Sequence, residues 1–281
     1  MTTTLQKPIV KPASLAFAKN LFQRGTDCFD PALVSEVLDI KLPEASPIPF
    51  GEVELAEAHT RGDQLIWLPS VDASGKPITM KRLHDDFKNE APLGGKLLFD
   101  TDWYKDEPFF TEHTARTGKS NLGSWRLVGI TAIPDTKGVN YLEQTIIAAK
   151  FVAEEIYGGN PPEHLKPILQ EPTEREQEIA KLMNKNWQEA ARILAGMPFN
   201  RQFRGTPVEL LIQVLLNQKV NSFRFLENEY AWTNVLSSHG YLVPFGYADS
   251  SGAYVDRWRP QLDDGSFGFF LSRSENVESE S

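Results

Sequence analysis

Two aspartates in the middle of the chain are the first candidates for chemistry. Asp100 and Asp102 are separated by one residue, in a segment from Phe99 to Phe110 that is rich in aromatic rings. Two carboxylates with this spacing on an extended chain can share a divalent cation, as in a metal-dependent transferase or hydrolase. The side chains that could complete such a site are His84, Asp85, Asp86, Glu112 and His113. The pattern is short and common, however, and we favour the interpretation that the two aspartates lie at a solvated strand end or cap a turn.

Four aspartates near the C-terminus form a second oxygen-rich set. They are Asp249, Asp256, Asp263 and Asp264. Oxygen ligands suit Ca²⁺, so a calcium-dependent sugar site, as in a lectin, is a further alternative. The histidines at 59, 164 and 239 do not have the spacing of a metal site.

The single cysteine, Cys28, is the only candidate thiol nucleophile. A catalytic thiol needs a histidine partner and a third group that orients it, and the neighbouring residues from Thr26 to Asp30 provide neither. The acidic neighbours are expected to raise the thiol pKa. One cysteine also cannot form an intrachain disulfide, which fits a reducing compartment. Because the N-terminus lacks an apolar segment, we predict no signal peptide and a cytoplasmic or virion-associated protein.

Composition and charge exclude several other classes of function. A net charge of −9 argues against sequence-independent binding of nucleic acid, which needs a basic surface. No apolar run approaches the roughly 20 residues of a membrane span. Neither a phosphate loop nor a dinucleotide fingerprint is present, so we predict no cofactor and no enzymatic activity.

Residues 234–274 have an unusual composition. The chain contains 16 Lys and 23 Glu. A window of this length should hold about six of them by proportion, yet it holds none and also lacks Met. Tyr, Ser, Gly and Asp are frequent instead, as in the binding loops of antibodies, where rigid rings give contact area and small polar residues give adaptable hydrogen bonds. The alternation at 253–256 predicts that Ala253 and Val255 face inward and that Tyr254 and Asp256 face outward.

The order of the residues in this region resembles a known family. The framework consists of Trp232-Thr233, Gly240, Leu242-Val243, Gly246, Gly252-Ala253, Val255, Trp258, Pro260 and the closing residues Gly268-Phe-Phe-Leu-Ser-Arg273. It resembles the variable region of proteins diversified by diversity-generating retroelements, which adopt a C-type lectin-like fold. In that family, adenines in asparagine-type codons are mutated at reverse transcription. Such codons cannot yield Lys, Glu, Met, Gln or Trp, so the resemblance implies that Trp258 is a fixed position. Gln261 departs from the pattern and must be fixed or encoded otherwise.

The resemblance implies a binding face that varies between copies of the protein. Its residues would be Leu236, His239, Tyr241, Pro244, Tyr247, Asp249, Ser251, Tyr254, Asp256, Arg257, Arg259, Leu262, Asp263, Asp264 and Ser266. The partner would be an unknown protein or other macromolecule, bound without a metal, and the sequence leaves oligomer formation open. Since carboxylates at such positions vary in the family, the calcium site ranks below this interpretation.

The predicted elements give an α+β protein with the element order of a C-type lectin-like domain. We expect helices at residues 15–22, 31–42, 52–60, 79–88, 141–157 and 206–216, a capping box at 173–176, and strands at 64–69, 96–99 and 123–130. The expected organisation is an N-terminal arm and support region at 1–90, a lectin-like domain at 91–274 and a flexible tail at 275–281. A charged helical insertion near 160–205 and the variable region at 234–270 fall within that domain. Within the variable region, Leu242, Val243, Val255 and Trp258 are expected to be more buried than Tyr241, Tyr254 and Asp256.

Overall fold

The computed structural model of the chain describes residues 12–90, 92–112 and 122–274. Three predictions concern residues outside these ranges: most of the N-terminal arm, His113 as a metal ligand, and the tail at 275–281. The end of the arm is held in place, because Ala13 donates its backbone N–H to the carbonyl of Phe50 at 2.8 Å.

The predicted helices are present, with bounds that differ by a few residues. The helices are α1 Leu15–Leu21, α2 Pro31–Leu38, α3 Glu52–Arg61, α4 Met80–Phe87, α5 Pro108–Thr111, α6 Tyr141–Phe151, α7 Lys166–Glu174, α8 Glu176–Lys185, α9 Trp187–Gly196, α10 Pro198–Phe203 and α11 Pro207–Asn221. A π-helical turn, Val152–Ile156, continues α6. Capping boxes begin both long helices, with Asn140 and Glu143 at α6 and Thr206 and Glu209 at α11.

The capping box predicted at residues 173–176 is wrong. Thr173 lies in the last turn of α7, and α8 begins only at Glu176. The break falls at Arg175, which leaves the helical conformation and binds the carboxylates of Glu171 and Glu178. The segment 160–205 therefore contains four short helices, whose buried residues belong to one hydrophobic core.

Within the described ranges, two four-stranded sheets accompany the helices in a mixed α+β structure. The strands are β1 Cys28–Phe29, β2 Gln64–Pro69, β3 Gly123–Val128, β4 Tyr230–Leu236, β5 Leu242–Asp249, β6 Gly252–Val255, β7 Phe267–Gly268 and β8 Ser272–Arg273. The first sheet has the order β1-β2-β3-β8 and the second the order β6-β5-β4-β7. The strand predicted at 96–99 is reduced to a single bridge between Leu98 and Ala253. This bridge lies near the start of β6, and the pairing does not continue along β6.

The second sheet separates two hydrophobic cores. On one side, Ala231, Val243 and Phe245 belong to a large core that extends from the N-terminal helices to α11. On the other side, Trp232 and Leu242 belong to a core formed with α6 to α10. Successive strand residues point to opposite faces, so a strand with apolar residues at consecutive positions must be covered on both sides.

The first ninety residues share their core with the rest of the chain. β2 pairs along its whole length with β3, with Trp67 opposite Trp125. The large core includes buried residues from Ala13 to Phe270. The expected boundary at residue 90 therefore does not coincide with a break in the packing. Among the described residues, none of the helices combines the length and apolar character needed to cross a bilayer.

A buried arginine, Arg204, contacts several elements of the second core. Arg204 donates to Asn200 at 2.8 Å and to Gln144 at 3.1 Å, and its guanidinium lies 4.0 Å from the ring centre of Tyr141 and 4.2 Å from that of Phe269. Burial lowers the pKa of Arg204 to about 10. The hydroxyl of Tyr141 in turn donates to the carbonyl of Thr233, which joins α6 to β4.

Candidate binding face

An open concavity of about 780 Å³ lies over the C-terminal strands. Its lining consists of His239, Tyr241, Arg257, Trp258, Arg259, Gln261, Leu262 and Asp263. Six of these eight were predicted as variable positions from the sequence. Of the other two, Trp258 was predicted as a framework position and Gln261 as a residue that is fixed or encoded otherwise. The lining comes from two stretches of chain, the connection between β4 and β5 and the segment that follows β6.

Backbone contacts hold these two stretches together. Leu242 and Trp258 exchange two backbone hydrogen bonds, at 3.0 and 2.9 Å. The carbonyl of Pro260 accepts the N–H of Tyr141 at 3.1 Å, and the side chain of Gln261 donates to the carbonyl of Met183. The segment 258–261 is therefore anchored to β5, α6 and α8 through groups that do not depend on the neighbouring variable side chains.

The expectation that Trp258 is buried is wrong. Its side chain is 41% exposed, whereas Leu242 and Val243 are completely buried and Val255 is 6% exposed. Trp258 is held by its backbone pairing with Leu242, which leaves the indole on the surface of the concavity. The other parts of the burial prediction are confirmed, since Tyr241, Tyr254 and Asp256 are all partly exposed.

Both arginines of the concavity stack on tryptophans from other parts of the chain. The guanidinium of Arg257 lies 5.0 Å from the ring centre of Trp103, and that of Arg259 lies 5.1 Å from the ring centre of Trp187. Trp187 also packs on Tyr241, with ring centres 4.5 Å apart. Contact with an aromatic face stabilises a cation and limits its motion without neutralising its charge. In the described ranges, neither arginine has an ion-pair partner.

A buried carboxylate positions the connection between β4 and β5. Glu107 accepts hydrogen bonds from the backbone N–H and the hydroxyl of Ser238, at 2.7 and 2.8 Å. The hydroxyl of Ser238 also lies 3.1 Å from Nδ1 of His239. His239 is exposed at the edge of the concavity, next to the anchored residue.

Two further predicted residues, Tyr247 and Tyr254, belong to an aromatic surface on β4, β5 and β6. The rings of Tyr230 and Tyr247 are 4.8 Å apart, those of Tyr247 and Tyr254 6.5 Å apart, and Tyr254 stacks on Phe99 at 4.3 Å. Burial, and then the charge of Asp256, raise the pKa of the Tyr230 hydroxyl.

The backbone of β5 creates room for this aromatic surface. A Cβ atom on Gly246 would lie 2.0 Å from the carbonyl oxygen of Glu229 and 2.6 Å from Cα of Tyr230, so only glycine fits between the paired strands. The pairing with β6 is irregular between Gly246 and Asp249, and Tyr247 has a φ of 43°. This bulge places a tyrosine in the left-handed region, which is uncommon for a residue with a large side chain.

The remaining predicted positions lie in turns or are partly covered. Asp249 accepts the N–H of Ser251 at 2.6 Å at the tip of the β5–β6 hairpin. Asp264 accepts the hydroxyl and the N–H of Ser266, at 2.6 and 2.8 Å, and these bonds lower the pKa of its carboxyl group. Leu236 and Leu262 are partly buried.

Pro244 does not belong to an exposed face. It is buried in β5, which lies between β4 and β6, and it stands opposite Trp232 in the sheet. The sequence pattern could not reveal this, because proline is otherwise rare in a central strand and is typical of edges and turns.

The aspartates that suggested metal chemistry have other partners. Asp100 accepts the N–H of Asp102 at 2.9 Å, which is the turn-capping arrangement. Asp85 pairs with Lys81, and Asp86 lies 3.7 Å from the guanidinium of Arg82. Across residues 12–90, 92–112 and 122–274, no group of three or more His, Cys, Asp or Glu side chains is arranged to hold a metal ion.

The thiol of Cys28 is completely buried in β1. Burial, together with the nearby Asp30, raises its pKa to about 11. The upward direction expected from the acidic neighbours is confirmed, and such a thiol is a poor nucleophile at neutral pH.

Sequence reasoning did not assign several residues that support the face. Trp103 and Glu107 contact it from the connection before α5, Trp187 from α9 and Tyr230 from β4. The density of aromatic rings between Phe99 and Phe110 was the available signal for the first two.

No family model, curated protein or solved structure matches the chain.

Proposed function

We propose that the chain is a ligand-binding display protein with a C-type lectin-like fold, whose C-terminal face is diversified by retroelement mutagenesis. The face recognises a protein or another macromolecule, and it acts by binding, without catalysis, metal or cofactor. The compartment, cytoplasm or virion, stays a prediction.

The observation that carries the proposal is the distribution of side chains around the concavity. His239, Tyr241, Arg257 and Arg259 are exposed or partly exposed there, while neighbouring framework residues are held by backbone contacts. Such a division allows side chains to change without loss of the fold. Tyr, Trp and Arg are also the residues that most often dominate binding energy at interfaces.

The codon restriction requires Trp258 to be a fixed position and Gln261 to be fixed or encoded otherwise. Both residue types are unreachable by mutation of asparagine-type codons, and both occur inside the concavity. Gln261 has a structural role, because its side chain binds the carbonyl of Met183. Trp258 contributes an aromatic surface that every variant of the protein would keep.

The first test is the DNA that surrounds the coding sequence. A near-identical template copy of the 3′ coding segment is expected beside a reverse-transcriptase gene, with mismatches only at template adenines. A surrounding region without such a copy, or mismatches spread equally over all four bases, contradicts diversification by a retroelement.

The second test measures tolerance to substitution directly. In one displayed library, His239, Tyr241, Tyr254, Arg257 and Arg259 are randomised, and the displayed molecules are sorted for folding and then for binding to unrelated target proteins. Most members are expected to fold, and different targets are expected to select different sequences.

A control library randomises five buried positions of the same sheet. These are Trp232, Leu242, Val243, Phe245 and Val255. This library is expected to be largely lost at the folding step. Equal loss of the two libraries contradicts a face that is independent of folding.

A further inference from the structure

The concavity has a local charge opposite to that of the whole chain. It contains two guanidinium groups, Arg257 and Arg259, together with His239 and a single carboxylate, Asp263. The protein as a whole carries a net charge of −9. An excess of cationic groups in a concave site of an acidic protein favours an anionic ligand, because clefts concentrate the local field.

The two guanidiniums are held in position before any ligand binds. The guanidinium of Arg257 lies over the ring of Trp103, and that of Arg259 lies over the ring of Trp187. In the described part of the chain, neither guanidinium has an ion-pair partner. A pre-oriented arginine loses less conformational entropy on binding, and its fork of donors matches a carboxylate with two parallel hydrogen bonds.

The order of the lining residues suggests the composition of the ligand. Arg257 and Arg259 flank Trp258 in the segment that bridges to β5, and all three residues line the concavity. Trp258 stands between them with 41% of its side chain exposed. An extended peptide with an apolar residue between two acidic residues offers one carboxylate to each guanidinium and an apolar side chain to the indole.

We propose that this concavity binds an extended acidic segment of a partner protein, with two carboxylates on Arg257 and Arg259 and an apolar side chain on Trp258. This inference rests on the proposed function and names the chemistry of its ligand in this copy of the protein. A long polyanion, such as nucleic acid or a sulfated polysaccharide, fits less well, because the negative charge of the protein repels it beyond the two arginines.

A peptide selection tests the proposal. Random twelve-residue peptides displayed on phage are selected on the immobilised full chain and, in parallel, on the Arg257→Glu, Arg259→Glu double variant. The first pool is expected to be enriched in Asp and Glu, with pairs separated by one residue. The second pool is expected to lose this enrichment and to favour Lys and Arg. Equal enrichment in both pools, or no selected peptide, overturns the inference.

Affinity measurements then assign the contacts. The most frequent selected peptide, labelled with fluorescein, is titrated with the protein and followed by fluorescence anisotropy. Arg257→Gln with Arg259→Gln is expected to weaken binding by about tenfold or more. The matched control, Lys166→Gln with Lys181→Gln, removes two positive charges from α7 and α8, which do not line the concavity. It is expected to change affinity by less than about twofold, since distant charges are screened.

Two further variants separate charge from geometry and folding. Arg257→Lys with Arg259→Lys keeps both charges but lacks the planar fork, so intermediate binding is expected. Thermal melts of all variants verify that they fold. Binding that is unchanged in the glutamine variant, or that is lost equally in the lysine-to-glutamine control, contradicts the assigned contacts.

The outcomes also distinguish this inference from the proposed function. Heparin or single-stranded DNA that binds more tightly than the peptide, and does so through the two arginines, shows that the ligand class is wrong. Selected peptides that lack acidic residues but still bind the concavity would also show that the ligand class is wrong. In both cases the display function stands, since that function depends on the template copy and on the two display libraries.

Discussion

Glu107 and Ser238 are 131 residues apart in sequence and are joined by two hydrogen bonds, at 2.7 Å to the backbone N–H and 2.8 Å to the hydroxyl. Glu107 is buried, so its carboxylate is shielded from water and depends on these donors. The bond to the backbone N–H is independent of the side chain at position 238. The connection that carries His239 and Tyr241 is therefore anchored whichever residues it displays.

The first prediction concerns this anchor. In Glu107→Gln, the amide keeps the shape of the side chain but loses the charge, and one of the two donors of Ser238 then faces an NH₂ group. We expect a loss of about 1–3 kcal/mol in the free energy of unfolding, measured by urea denaturation. The control is Glu112→Gln, an exposed position that follows the other end of α5, where the change should be below about 0.5 kcal/mol. Equal stability of the two variants would show that Glu107 does not hold the connection.

A pair of tryptophans gives the second prediction. Trp232 is 2% exposed and Trp258 is 41% exposed. Truncation of a buried tryptophan leaves a cavity, so Trp232→Ala is expected to cost about 3–5 kcal/mol. Trp258→Ala is expected to cost less than about 1 kcal/mol, because its indole faces solvent over much of its area. Calorimetric melting temperatures of the two variants measure these losses. Similar losses in both variants would mean that Trp258 has a structural role.

The sequence predicted the elements of the fold better than their packing. Helices α6 and α11 have capping boxes and glycine or polar stops that act locally, so their presence followed from short stretches of sequence. The four-helix segment 160–205 was less predictable, because its break at Arg175 depends on contacts between helices. The same difference holds for the binding face. The alternating sequence predicted that Tyr254 faces outward and Val255 inward, whereas the exposure of Trp258 depends on a bridge to Leu242, which is distant in sequence.

Glycines in the second sheet give the third prediction. A Cβ atom on Gly246 would meet the carbonyl oxygen of Glu229, and one on Gly268 would lie 2.7 Å from Cβ of Ala132. Gly246→Ala and Gly268→Val are therefore expected to reduce the yield of folded protein severely. Gly265→Ala is the control, because nothing lies within 4 Å of the added atom. Circular dichroism and gel filtration of the three variants report folding and aggregation, and a folded Gly246→Ala protein would contradict the close pairing of β4 and β5.

The fourth prediction concerns the buried thiol of Cys28. Its pKa in the folded protein is about 11, raised by burial from an ordinary value of 9.0. Between these values the unfolded chain releases the proton while the folded protein retains it, so ionisation favours unfolding. The stability contributed by this group is complete below pH 9 and is lost as the pH rises towards 11.

Comparison with Cys28→Ala isolates this contribution from other groups that titrate at high pH. The difference in unfolding free energy between wild type and variant is expected to be constant below pH 9 and to shift in favour of the variant above it. Ellman's reagent provides an independent check, because the thiol should react only after unfolding. Rapid reaction of the native protein at pH 8 would show that Cys28 is accessible.

The last prediction separates the binding face from the core. Tyr241, Tyr247, Tyr254, Asp256, Arg257 and Arg259 are replaced together by serine. All six are exposed or partly exposed, although Tyr241 and Tyr254 lose stacking contacts with Trp187 and Phe99. Since substitutions of this kind usually cost less than about 0.5 kcal/mol each, the variant is expected to fold cooperatively and to melt above Trp232→Ala. At Tyr247, where φ is 43°, serine keeps the Cβ atom, so the backbone strain of that position is unchanged. If the six-residue variant melts below the single core variant, these side chains are part of the folded framework and cannot form a face that varies freely.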